Sequence, residues 1–560
     1  MGEGLQQRTG GQLLVDALCA HGADRAFCVP GESYLAVIDA LYDVRERISL
    51  VVCRQEGGAA FMAEAYGKLT GRPGICMVTR GPGATNASIG VHTAYQDSTP
   101  MILFIGQIGS DVVEREAFQE LDYRRMFAQM AKWVAQIDRA DRVHEYVSHA
   151  FHVAMSGRPG PVVLALPEDM LVTQVATIAV RPYQRVKAHP GAQQLDEVAD
   201  MLAGARRPLL LLGGGDWSER ACDDIRSFAE AWRLPVACSF RRQDLLDNRH
   251  DQYVGEVGIA TAADLKKRIA ESDLVFAVGP RLGEMTTGGY TLFGIPQLRQ
   301  RFIHVHPGAD ELGRVYQADL MINAGMGEFA RAVRGLSPRG VPGWDEWTRS
   351  LRAEYLRTIE PVQVPGPVNM SEIIAWLNRR LPAGSIVANG AGNFSGWPQR
   401  FYQYTGFRTQ LGPTNGAMGY GVPAAIAARM VHPDRIVVCF SGDGDFMMTG
   451  QELATAMQYQ APVVFVVVNN GMYGTIRMHQ EREYPARVHG TALSNPDFVA
   501  LARAYGAHGE LVERTDQFAP AFERAVASGQ PALLEVRLDP EVITTRTTLS
   551  AIRAAAQSKG

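Results

Sequence analysis

Short, unbroken apolar runs recur along the chain, among them SLVVC (49–53), GICMVT (74–79), MILFIGQ (101–107), LVFAVG (274–279), FIHVHP (302–307), IVVCF (436–440) and VVFVVV (463–468). Runs this short and this rich in branched residues predict parallel strands buried on both faces; a half-exposed strand would alternate apolar with polar positions. Helical patterns stand between them, such as GQLLVDALCAH, GGAAFMAEAYGKLTG and TGQELATAMQYQ. Strict alternation of the two predicts an α/β protein built from doubly wound parallel sheets.

Two stretches break the pattern: VRPYQRVKAHPGAQ (180–193), rich in proline and basic residues, and residues 337–368, with two Pro/Gly clusters around a helical piece. They predict three domains, at 1–180, 194–336 and 368–548, which agrees with 560 residues at roughly 150–200 per domain. The tail RAAAQSKG is expected to fray. With 46% hydrophobic and 20% charged residues the chain reads as a soluble enzyme, and a formal charge of −4 leaves no cationic surplus for nucleic acid. Seven scattered cysteines without a CxxC pair fit no complete disulfide framework, so a reducing cytoplasm is expected. The N-terminus has no apolar signal core, Gln6 fails the myristoylation pattern, and no run reaches the ~18–20 apolar residues of a membrane span.

The richest chemistry lies in SGDGDFMMTGQELATAMQYQAPVVFVVVNN (441–470). Gly442-Asp443-Gly444 is expected in a tight loop at the end of one strand, and Asn469-Asn470 at the end of the next. In a right-handed βαβ unit both ends reach one edge of the sheet, so Asp443 and Asn470 can meet across 27 residues of sequence. One carboxylate and one amide oxygen suit Mg²⁺, which completes its octahedron with water and phosphate. Glycines beside a helix N-terminus suit an anion. A diphosphate bridged by Mg²⁺ is the guest this combination predicts. Elsewhere, Glu56 follows a strand at the edge where open α/β sheets bind ligands, RGPGATN (80–86) reads as a glycine loop, and His92 reads as structural or surface. The triplet Gly213-Gly214-Gly215 lacks a dinucleotide fingerprint and is weak by itself.

GDGDF followed by VVNNGMYG resembles the thiamine diphosphate fingerprint of the 2-oxo acid decarboxylases, acetolactate synthases and pyruvate oxidases, and RQEGGAAFMAEAYGKLTG, GPGATN, Gly106-Gln107 and AFQE resemble acetolactate synthases in particular. The resemblance covers nearly the whole chain. It implies three sheets that bind, in order, the cofactor pyrimidine, a nucleotide or nothing, and the diphosphate. It implies Mg²⁺ on Asp443, Asn470 and the Met472 carbonyl, Glu56 against the pyrimidine ring, the Gly416 carbonyl on the 4′-amino group and Met418 as the wedge beneath the folded cofactor. The cofactor-binding set extends to Gly392, Asn393, Gly442, Gly444, Asp445, Tyr473 and Gly474. Alone, Met418 would read as core packing and Phe118-Gln119 as part of a packed helix; the resemblance makes Phe118 and Gln119 candidates for the substrate pocket.

Departures from that family matter. Where acetolactate synthases carry RFDDR this chain has Arg281-Leu282-Gly283-Glu284-Met285, which keeps the arginine that the resemblance links to a substrate carboxylate and loses the acidic pair, so FAD is left open and disfavoured. His479 and Thr475 stand where tryptophan and methionine are usual, in a segment (471–490) expected to be mobile. Val29-Pro30-Gly31-Glu32 echoes a decarboxylase turn, with Glu32 a candidate proton donor. The implied reaction is decarboxylation of a pyruvate-like 2-oxo acid with carboligation of the resulting enamine to a second carbonyl, a transferase. A simple decarboxylase, a lyase without FAD, is the alternative, and a non-catalytic binding module the remote one. The resemblance also implies a homodimer or homotetramer with the site at a subunit interface, and leaves room for a small regulatory subunit.

Overall fold

The computed structural model describes residues 7–176, 179–259 and 261–558. Gln6 and the last two residues of the tail lie outside them. Three six-stranded sheets, each wholly parallel and flanked by helices, carry the chain. Two compact units divide it, residues 1–186 with the first sheet and residues 187–560 with the other two.

The apolar runs form inner strands, except SLVVC: Ser49–Val52 is the edge strand of the first sheet and is only partly buried. Met101–Gln107, Pro161–Pro167 and Val437–Gly442 are buried at every position, as sheets covered on both faces require. Counting strands in chain order within each sheet, the first and third both run 2-1-3-4-6-5 and the second runs 3-2-1-4-5-6. The second order reverses direction once, while the first and third reverse after their second strand and again after their fifth; at the first reversal two strand ends diverge to open a crevice at the carboxyl edge. In the third sheet the crevice lies between Ile386–Asn389 and Val437–Gly442.

Two stretches expected as glycine loops are helix instead. RGPGATN opens the helix Arg80–Asp97, and the GDG segment opens the helix Asp443–Thr449 directly from its strand. Their glycines serve close approach, not loop freedom. A Cβ at Gly83 would stand 3.1 Å from Val78 Cβ, and one at Gly444 would stand 2.6 Å from the Tyr473 ring. Asp443 and Asp445 in a first helical turn also complement the helix dipole.

As far as it is described, the tail does not fray. Leu549–Gln557 is a helix, capped by the Thr548 hydroxyl and packed on the helix Gly474–Glu483, which occupies much of the segment expected to be mobile. The buried Glu481 carboxylate joins the two, accepting from Arg553 at 2.6 and 2.7 Å, from Arg477 at 2.7 Å and from the Ala486 N–H at 2.9 Å. The Arg553 hydrogen bonds lead in holding Glu481 down to about 2, against burial, which acts upward. Between pH 4.5 and 2 the unfolded chain therefore binds more protons at this residue, and its stabilisation, complete above pH 4.5, is lost as pH falls through that window. Arg553→Ala is expected to cost about 1.5–3 kcal/mol at pH 7. In thermal melts, the gap to the unmodified protein should narrow from pH 5.5 to 3.5; a gap independent of pH would contradict this role.

Candidate active site

Asp443, Gly390 and Asn470 follow three adjacent parallel strands and so emerge at one edge of the third sheet. Asp443 is buried, and its Oδ2 accepts from the Gly471 N–H at 2.9 Å and from Asn495 Nδ2 at 2.8 Å. The same Asn495 amide donates to Asn469 Oδ1 at 3.0 Å, so one side chain fixes both strand ends. Burial raises the Asp443 pKa above the usual carboxylate range, while Asn495 and the N–H groups of Gly444 and Gly471 draw it back. Asn470 lies against Gly474, where a Cβ would stand 3.3 Å from the asparagine Nδ2. The turn through Met472 is held on both sides, by Leu493 N–H on the Gly471 carbonyl and Tyr473 N–H on the Thr491 carbonyl, each at 2.9 Å.

Asp445 is turned inward. Its Oδ1 accepts from the N–H groups of Ala391 at 3.0 Å and Gly419 at 2.9 Å, tying the loop of Gly392 and Asn393 to the turn that carries Gly416 and Met418. Burial pushes its pKa up to about 6, opposed by those two N–H groups, Ser441 and the Arg241 charge. A Cβ at Gly390 would lie 2.1 Å from that carboxylate, so the loop accepts only glycine there. Met418 sits half-buried between Gly416 (φ 72°) and Gly419 (φ 79°), and Thr449 Oγ1 fixes the Gly419 carbonyl at 2.6 Å. Asn393 exchanges two hydrogen bonds of 3.0 Å with Thr475. His479, one turn further along that helix, is exposed.

In the first unit Glu56 is the first residue of its helix, and its Oε2 accepts from Asn86 Nδ2 at 2.9 Å. Arg80, at φ 38°, organises the neighbouring edge. It pairs with Glu168 at 2.9 Å, approaches Glu32 to 3.7 Å and donates to the Phe118 carbonyl at 3.4 Å, while Gly81 N–H donates to the Gln119 carbonyl at 3.0 Å. Phe118 and Gln119 thus belong to a turn and not to a packed helix, and the Phe118 side chain is 70% exposed. His92 is exposed on the Arg80–Asp97 helix.

Arg281 follows the strand Leu274–Val278 of the central sheet. It pairs with buried Glu311 at 3.5 Å, so a substrate carboxylate would have to share the guanidinium. The Gly213 N–H donates to the Val278 carbonyl, its own carbonyl accepts from the Trp217 indole at 2.7 Å, and a Cβ at Gly214 would fall 1.9 Å from the Gly279 carbonyl. This triplet packs strand end on strand end.

Asn86, Arg80 and Asn495 were missed by sequence reasoning; each is a single polar residue far along the chain from its partner. Among the described residues no three His, Cys, Asp or Glu side chains gather as a metal cluster. A cation at Asp443 would need a mixed set of carboxylate, amide and carbonyl oxygens, which is the donor chemistry of Mg²⁺ with a diphosphate. The cradle agrees, since Gly390, Gly442 and Gly444 each lie where a Cβ would strike a neighbour within 2.7 Å.

Residues 390–536 match the thiamine pyrophosphate enzyme C-terminal TPP binding domain, 8–126 the N-terminal TPP binding domain and 195–333 the central domain, which defines a thiamine diphosphate-dependent enzyme. The acetolactate synthase isozyme 2 large subunit of Escherichia coli is 32% identical over 95% of both chains. The acetolactate synthase large subunit of Parasynechococcus marenigrum is 33% identical over 95% of this chain and 88% of that one, and that of Corynebacterium glutamicum 30% identical over 93% and 85%. The chain belongs to the thiamine diphosphate-dependent acetolactate synthase family. Among the described residues no helix is long and apolar enough to cross a membrane.

Asn495→Ala is expected to cost about 1–3 kcal/mol, because it leaves buried Asp443 short of a donor. Urea denaturation should show a lower midpoint at unchanged slope; an unchanged midpoint would remove Asn495 from the site.

Proposed function

We propose that this protein decarboxylates a pyruvate-like 2-oxo acid and joins the remaining acyl unit to the carbonyl of a second molecule, using Mg²⁺ and thiamine diphosphate. The observation that carries the reading is the corner at Asp443, where Gly471 and Asn495 hold a buried carboxylate beside Asn470 at the switch point of the third sheet. Thiamine diphosphate, when bound, supplies an electron sink that lets a bond next to a carbonyl break and re-form.

The residues have separate duties. Asp443, Asn470 and the Met472 carbonyl would hold Mg²⁺ and through it the diphosphate; Gly392, Asn393, Tyr473 and Gly474 line the same cradle. Glu56, oriented by Asn86, would hold a proton against the pyrimidine ring, with the Gly416 carbonyl on the 4′-amino group and Met418 supporting the fold of the cofactor. Glu32, Arg80, Phe118 and Gln119 share one edge of the first sheet, a suitable place to receive an acceptor and move a proton. Arg281 and His479 are further candidates for substrate recognition.

Glu56 and Asp443 would come from different copies of the chain, making a homodimer or a homotetramer the active unit, with a smaller partner chain added on the strength of relatives named as large subunits. The cytoplasm is the proposed compartment.

Incubation of the purified protein with pyruvate, thiamine diphosphate and Mg²⁺, with and without FAD, is expected to yield acetolactate detectable by NMR in both cases. Acetaldehyde alone would favour a decarboxylase, and untouched pyruvate would count against this donor. Shared sites make a second prediction. Glu56→Gln and Asp443→Asn are each expected to abolish turnover, but randomly reassociated mixtures should regain roughly a quarter of the activity, since half the dimers are mixed and each has one intact site of two. A mixture that stays inactive would confine each site to one chain.

A further inference from the structure

The central sheet sends one side chain into the loops assigned above to the cofactor. Arg241 follows the strand Val236–Ser239, is only 6% exposed and has φ 58°, a backbone conformation that non-glycine residues hold only where their surroundings over-determine it. Its Nη1 donates to the Pro413 carbonyl, and its Nη2 donates to the Gly390 carbonyl at 3.1 Å and approaches Ser395 Oγ at 3.4 Å. Gly412 makes room for it, since a Cβ there would lie 3.0 Å from Arg241 Cδ. One guanidinium thus binds both loops that Asp445 also joins.

The residues behind it are anchored in the same way. Gln243 and Gln410 exchange hydrogen bonds of 2.8 and 2.9 Å, and Gln243 Nε2 donates to the Gln399 carbonyl at 2.9 Å. Asp244 accepts from the Arg408 N–H at 2.9 Å, and Asn248 exchanges backbone and side-chain bonds with Tyr404. The stretch 240–248, FRRQDLLDN, is therefore stitched into the third sheet's loops, although it belongs in sequence to the central one. Burial pushes the neighbouring Glu256 carboxyl up, and the Arg241 charge is among the groups that oppose it.

We propose that Arg241 is a positioning residue for the diphosphate half of the active site, holding loops 390–395 and 412–419 in their cofactor-ready arrangement from the central sheet. This rests on the assignment of those loops to the cofactor. It gives the central sheet a task that needs no nucleotide of its own.

Two variants separate the effects. Arg241→Gly removes the guanidinium while adopting a left-handed backbone without strain. Arg241→Lys keeps the charge and loses the planar fork. Hydrogen–deuterium exchange on the full-length protein without cofactor is expected to show faster exchange in peptides covering 390–395 and 412–419 in Arg241→Gly, with the strands of the third sheet unchanged. The Kd for thiamine diphosphate with Mg²⁺, read by quenching of tryptophan fluorescence, is expected to rise about 10–100-fold, the usual effect of removing a group that orients direct ligands. Arg241→Lys should fall between, and carries the same comparison if the glycine variant does not fold. Unchanged exchange in both loops overturns the positioning role. Faster exchange with an unchanged Kd overturns the link to the cofactor, and places the fault in the assignment of those loops and not in what Arg241 does to them.

Discussion

One buried carboxylate oxygen holds the loops at the edge of the third sheet together. Asp445 Oδ1 receives the N–H groups of Ala391 and Gly419, which belong to loops leaving two different strands. Without that acceptor each loop would have a buried donor to satisfy elsewhere, and the Met418 turn would lose its register against Gly392. Much of the local sequence follows from this contact. Gly390 has no side chain because the carboxylate occupies its place, and the helix begins at Asp443 so that Asp445, two residues on, points inward. Asp443 is thereby left at the mouth of the crevice with its own donors from Gly471 and Asn495.

The first sheet solves a similar problem with a cation. Arg80 gathers Glu168, Glu32 and the backbone of the Phe118-Gln119 turn, while Asn86 on the same helix orients Glu56. A polar group whose partners come from separate strands is costly to leave half-satisfied, and so it specifies one arrangement of the edge.

Fold class, the three parallel sheets and the membership of the family were legible, because doubly buried strands announce themselves as apolar runs and because GDGDF, NNGMYG and RQEGGAA are contiguous strings. The orienting residues were not. Asn495 and Asp443 are 52 positions apart, Asn86 and Glu56 are 30 apart, and Arg241 and Gly390 are 149 apart; nothing local marks any of them. Two glycine segments were misread as loops because glycine lowers helix propensity, whereas here tight packing against Tyr473 and Val78 overrides that preference. The tail was misread for a related reason: RAAAQSKG is unremarkable alone, and only the long-range partner Glu481 makes its arginine structural.

The first and third sheets share one strand order and one way of leaving a strand. In each, the third strand in chain order runs without a break into a helix, which opens Arg80-Gly81-Pro82 in one and Asp443-Gly444-Asp445 in the other. The same strand-to-helix frame therefore carries a proline in the first helical turn on one sheet and two carboxylates in that turn on the other.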